Sequence, residues 1–151
     1  MRKLKQNEIR VQFETEQKEN VEIRVFYNNQ QHLDFVIKER GESRNNIHSR
    51  NFTNLEECLN YIIDNSGYMR YLGNTKSEHM YDLTDSMKLT IFIPYKEYVE
   101  REAVVVKDGN IQQYRQKFPS TIGQDEIIEN VIKALHLEKE AQAYRIRRYN
   151  Q

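Results

Sequence analysis

Val21-Glu22-Ile23-Arg24-Val25-Phe26-Tyr27 alternates apolar and polar residues, and the same pattern returns as Leu89-Thr90-Ile91-Phe92-Ile93-Pro94-Tyr95. Alternation at period two places one set of side chains on each face of a strand. Each copy leads through further strand pattern to a Phe and then to an amphipathic helix. The offset between copies hardly drifts: Tyr27 and Tyr95 stand 68 apart, Phe52 and Phe118 66 apart, and Ile62 and Val131 69 apart. So small a drift fits a tandem ββ(β)α duplication, with pseudo-repeats 8–65 and 88–137 joined by a linker 66–87. Amphipathic elements also match one another by pattern alone, and without duplication the order still reads strands, helix, strands, helix. Either way the expected class is α+β, an antiparallel sheet of about six strands with two helices packed on one face.

Working outward, Ile9, Val11 and Phe13 mark a strand before the first copy, and Leu33, Phe35 and Ile37 mark one after it. The connections 17–20 and 28–31 are short and polar, as hairpin loops are. From Arg40 to Asn51 apolar periodicity stops, which predicts a loop or a ragged strand end. Thr53-Asn54-Leu55-Glu56 reads as a capping box, opening a helix whose stripe is Leu55, Cys58, Leu59, Ile62 and Ile63 and whose stop is Asn65-Ser66-Gly67. Residues 66–87 show no sustained period, and a short strand is expected near Tyr68–Leu72. Ala103 to Val106, Asp108-Gly109 and Ile111 to Phe118 form a hairpin signal, because Asp-Gly suits the positive φ angles of a tight turn. Ile127, Ile128, Val131, Ile132 and Leu135 form the second helical stripe. Residues 138–151 then read as a partly exposed C-terminal helix or tail, running on or breaking near His136.

At 151 residues the chain is expected to be a single domain, able to bury roughly 68–70% of its unfolded surface. Mean hydropathy is −0.90, yet the apolar residues fall in periodic blocks, so a folded domain with a thin core is expected. Ten Tyr and six Phe with no Trp make aromatic rings a large part of that core. Lysine plus arginine and aspartate plus glutamate both total 23, so attraction to nucleic acid or to an anionic membrane has to come from local patches. No run approaches the ~20 apolar residues of a spanning helix, and no apolar stretch follows the basic start at Met1-Arg2-Lys3. A single Cys rules out an internal disulfide. A cytoplasmic protein is the expectation, and the abundance of Asn, Lys, Ile and Tyr suggests the AT-rich codons of a low-GC bacterium or its phage.

Few residues suggest chemistry. His79, Asp82 and Asp85 are spaced as a metal-ligand set on a helix, but the local sequence is not helical. Cys58 lies within an apolar stripe and reads as a small core residue rather than a nucleophile. Glu56-Glu57 and Asp125-Glu126 fall in first turns, where negative charge offsets the helix dipole. His32, His48 and His136 stand apart from any partner pattern. Phosphate-binding loops, dinucleotide fingerprints, nucleophile elbows and HExxH are absent, so no cofactor is expected and no catalytic residue is assigned.

The candidate partner-binding residues are basic and aromatic. Arg40, Arg44 and Arg50, with His48, occupy the first loop; Tyr68, Arg70 and Tyr71 follow the first helix; and Tyr144, Arg145, Arg147 and Arg148 close the chain. Tyr and Arg are enriched at interface hot spots. The leading expectation is therefore a small non-enzymatic binding protein acting on a macromolecular partner, as a phage or mobile-element accessory protein or an inhibitor of a host or defence enzyme would. A nucleic-acid binder using the Arg and Tyr patches is the alternative. The second alternative is an enzyme whose site the fold assembles from His48, His79, Asp82 and Asp85. No membrane is expected as partner, and a homodimer through an edge strand is open.

Overall fold

The computed structural model describes residues 6–28, 30–39, 42–44, 52, 54–73, 75–95 and 99–149, with backbone only at 42–44 and 147–149. Its strands are β1 (Gln6–Glu14), β2 (Asn20–Tyr27), β3 (Leu33–Glu39), β4 (Glu42–Arg44), β5 (Lys76–Asp82), β6 (Met87–Pro94), β7 (Arg101–Lys107) and β8 (Ile111–Phe118). The helices are α1 (Leu55–Ser66), α2 (Gln124–Ala134) and α3 (Glu138–Tyr149), and a 3-10 turn spans Tyr68–Tyr71. All eight strands join one antiparallel sheet in the order β4-β3-β2-β1-β5-β6-β7-β8. The α+β class is as the sequence predicts, with more strands and a third helix.

Four strands and a helix are followed by four strands and a helix, so the element order repeats, and the first strands of the two sets, β1 and β5, pair at the centre of the sheet. The second set begins with β5, inside the stretch 66–87 that carries no apolar period. The short strand expected at Tyr68–Leu72 is instead the 3-10 turn, entered through Gly67 in the left-handed region at φ 78°.

Directly opposed residues in an antiparallel ladder point to the same face. Phe35, Val25, Ile9, His79, Ile91 and Ala103 therefore form one row across six strands, and Ile37, Ile23, Val11, Ser77 and Ile93 form the next. The helices cover this face. Leu55, Cys58, Leu59, Ile62 and Ile63 of α1 close a core over β1 and β2, while Ile127, Ile128, Val131 and Ile132 of α2 close another over β6 and β7. Between the two cores the rows are interrupted by the buried polar pair Ser77 and His79. Cys58 belongs to the first core, and burial pushes its thiol pKa up to about 11, which leaves it unreactive at neutral pH.

The helix ends follow local chemistry. Asn54, one residue after the expected cap, accepts the Glu57 backbone N–H at 2.8 Å; Thr53 lies outside the described residues. Gly67 closes α1 with nothing within 4 Å of an added Cβ, so only the backbone resists a side chain there. Gly67→Ala is expected to lower stability by about 1–2 kcal/mol, the cost of a left-handed L-residue. A urea midpoint that stays put or rises would contradict the left-handed cap. At the far end, α2 stops at Ala134, His136 takes φ 55°, and α3 turns back so that Ala141 joins the second core.

Candidate functional site

The face of the sheet away from the helices carries charge, but the charge is neutralised in place. Arg10 on β1 donates from Nε and Nη2 to the two Glu78 oxygens on β5, both at 3.0 Å. Arg24 donates to Glu8 at 2.6 Å and lies 5.5 Å from the Phe26 ring centroid, while Lys76 sits 4.7 Å over Phe92. With each of these guanidinium groups matched to a carboxylate, the face offers little to a phosphate backbone.

The three Arg/Tyr groups go to different places. Tyr144 is 8% exposed and donates to Asp82, and Arg145, 2% exposed, lies 4.0 Å from Glu129. These two are therefore packing residues of α3 rather than surface residues. Arg147 and Arg148 follow on α3, with side chains outside the described residues. Arg44 is placed only by its backbone in β4; Arg40, His48 and Arg50 lie outside the described residues. Only Tyr68, Arg70 and Tyr71 form a described surface group.

That group sits where the C-terminal ends of β1, β3 and α1 meet the start of β2. The 3-10 turn folds Tyr71 back onto Phe13 of β1, stacked at 5.7 Å with an 11° interplanar angle, and tilts Tyr68 against the same ring at 5.0 Å. Phe13 is buried, so both tyrosines anchor their rings in the core and keep their hydroxyl ends outside. The Tyr68 hydroxyl donates to the Glu39 carboxylate at the end of β3. Arg70 is 66% exposed; its guanidinium carbon lies 4.9 Å from the Tyr71 centroid, its Nη2 donates to the Tyr71 hydroxyl at 2.8 Å, and its Nη1 lies 3.7 Å from Glu16. These residues border an open depression of about 370 Å³ whose rim also includes Thr15, Glu19 and Ser66. A neighbouring depression of about 620 Å³ lies across Val21, between Gln12, Glu14, Glu22 and Lys38.

Sequence pattern alone missed the acids here. Glu16, Glu19 and Glu39 read as ordinary loop and strand-end residues, because their convergence on Arg70 and the tyrosines needs three strand ends and a helix end to meet. Phe13 shows as a core residue, without any sign that it orders two surface tyrosines.

The polar pair at the centre of the sheet also has catalytic residue types. His79 Nδ1 accepts from Gln6 Nε2 at 2.7 Å, and its Nε2 faces Ser77 Oγ at 2.7 Å. Ser77 Oγ in turn donates to the Ile93 carbonyl at 3.3 Å. With its only proton used there, the hydroxyl accepts from the His79 Nε2–H, the reverse of the direction a nucleophilic serine needs. Burial, with Arg101 nearby, lowers the His79 pKa to about 4. His79 thus forms part of a satisfied buried chain, while Asp82 is engaged by Tyr144 and no His/Cys/Asp/Glu group suited to a metal occurs among the described residues. No described helix is long and apolar enough to cross a membrane.

No family model, curated protein or solved structure matches the chain.

Proposed function

We propose that the protein is a small non-enzymatic binding protein that engages a macromolecular partner, a protein in the first instance, at the corner formed by Tyr68, Arg70 and Tyr71. The observation that carries this is the stack of Phe13 beneath the two tyrosines beside an open depression. Rings already held in place lose little side-chain entropy when a partner docks, and Tyr is among the residue types that dominate interface energetics. The acids around Arg70 favour a protein over a nucleic acid here, since a phosphate backbone approaching them meets like charge. A cytoplasmic accessory or inhibitory role in a bacterium or phage is the finer form of the proposal, supported by the composition.

Affinity purification from the native host, with and without nuclease, tests it on the wild-type chain, on Y68A/Y71A with folding checked by circular dichroism, and on the distant exposed variant Ile111→Ser. A stoichiometric protein that survives nuclease, is lost from Y68A/Y71A and is kept by I111S is the expected outcome. Loss of all capture on nuclease treatment would shift the proposal to nucleic acid. Undiminished capture by folded Y68A/Y71A would remove the corner from it.

A further inference from the structure

The surroundings of Arg70 are those of a bound ligand. An aromatic face, a phenol oxygen and a carboxylate each meet its guanidinium, which are the three kinds of group that recognise an arginine side chain. Yet Arg70 is held loosely. It is the residue next to Tyr71 in sequence, is 66% exposed, and its ion pair with the 64% exposed Glu16 is long at 3.7 Å. Exposed contacts of this sort contribute little to stability, so replacing Arg70 on the ring costs little. Three carboxylates stand at the corner, Glu16 against Arg70, Glu39 against the Tyr68 hydroxyl and Glu19 on the rim, and the cations described there are Arg70 and the exposed Lys18 of the same loop.

We infer that the depression beside Tyr68 and Tyr71 is a recognition site for an arginine side chain of a protein partner, and that Arg70 is its intramolecular occupant. The incoming guanidinium takes the outer face of Tyr71, whose inner face is stacked on Phe13, and draws on the carboxylates of Glu16 and Glu39. Arg70 swings out into solvent as it enters. This inference rests on the corner being the partner-binding surface, and it adds the chemistry of what binds: a basic, arginine-bearing segment.

The charge sign separates this site from a phosphate site. If Arg70 were the recognition element for an anion, removing it would weaken binding; if it is a competitor, removing it strengthens binding.

The test titrates the isotopically labelled full chain with a blocked tetra-arginine peptide, a blocked tetra-citrulline peptide of the same shape without charge, and inorganic phosphate, following backbone amides by NMR. Tetra-arginine is expected to shift amides clustered at Thr15–Glu19, Glu39 and Ser66–Leu72, with affinity falling as salt rises; citrulline is expected to leave them in place. Arg70→Ala is expected to tighten tetra-arginine binding roughly two- to fivefold, the value of one exposed cation–π contact released. Glu39→Gln is expected to weaken it by a similar factor without changing the fold. Equal shifts from citrulline, arginine-induced shifts scattered away from the corner, phosphate binding at Arg70, or an R70A variant that binds no better would each overturn the inference. If tetra-arginine fails while Y68A/Y71A still abolishes capture of the native partner, the arginine chemistry falls and the binding corner stands. If the peptide binds the corner but capture survives in Y68A/Y71A, the arginine site stands and the partner assignment falls.

Discussion

Lowering the pH from 6.5 to 4 is expected to remove about 3 kcal/mol of stability through His79 alone. The ring is 6% exposed at the centre of the helix-covered face, and burial, then Arg101, holds its pKa at about 4 against an ordinary 6.5. Within that window the unfolded chain binds a proton on His79 and the folded chain does not. Stability therefore rises with pH across it: the contribution is complete above about 6.5 and is lost progressively as pH falls towards about 4. The two pKa values stand about 2.5 apart, which at about 1.4 kcal/mol per unit is about 3.5 kcal/mol in the limit, and about 3 kcal/mol of that is lost by pH 4. The hydrogen bonds agree with a neutral ring, because Gln6 donates to Nδ1 and leaves Nε2–H for Ser77. Carboxylates titrate at the lower end of the same range, so the measurement is a difference. Urea midpoints of wild type and His79→Gln, followed from pH 7.5 to 4, are expected to converge by about 3 kcal/mol as pH falls. Parallel curves would show that His79 is protonated in the folded protein or is not buried.

His79 also shows why part of the fold was illegible. Every strand with an apolar inward set was visible: Ile9, Val11 and Phe13 on β1, Val21, Ile23 and Val25 on β2, Leu89 and Ile91 on β6, and Ala103 and Val105 on β7 all lie buried where alternation puts them. β5 shows no apolar alternation because its inward residues are Ser77, His79 and Tyr81. Their polar atoms find partners in Gln6, Ile93 and Gln124, residues 16 to 73 positions away, and a local window sees only a polar segment. By local pattern, the strand that joins the two sets of elements thus reads as a linker between them.

The candidate site divides along the same line. Its rings are legible as residue types with hot-spot character, whereas the acids and the depression depend on the ends of β1, β3 and α1 meeting the start of β2. In the C-terminal group the same residue types mislead, since Tyr144 and Arg145 are drawn inward when α3 folds back after His136. A run of Arg and Tyr does not reveal which face of a helix is buried until the reversal preceding it is known.

Ile9→Ala and Ile91→Ala are expected to lower stability by about 3 kcal/mol each, and to do so throughout the sheet. Ile9 is fully buried in the first core and Ile91 in the second. Truncating a buried isoleucine forfeits its transfer free energy and leaves a cavity that close packing cannot fill, together about 2–5 kcal/mol. The test lies in where the loss is felt. Ile9 and Ile91 stand in one row, separated only by His79, and β1 and β5 pair without interruption from Glu8 to Val11. Melting either core alone would strip β1 or β5 of its central neighbour and expose the buried chain of Gln6, His79 and Ser77, whose polar atoms are costly to leave half-satisfied. Cooperativity across the seam follows, with one unfolding transition for the two sets of elements. For a chain of this length about 3 kcal/mol corresponds to a fall in Tm of about 9 °C. Hydrogen exchange resolves the matter residue by residue: slow amides of β2 and of β7 are expected to lose the same protection in both variants. If Ile91→Ala weakened β7 and left β2 untouched, the two sets of elements would be folding independently, and the central ladder would be a contact between two units rather than the middle of one.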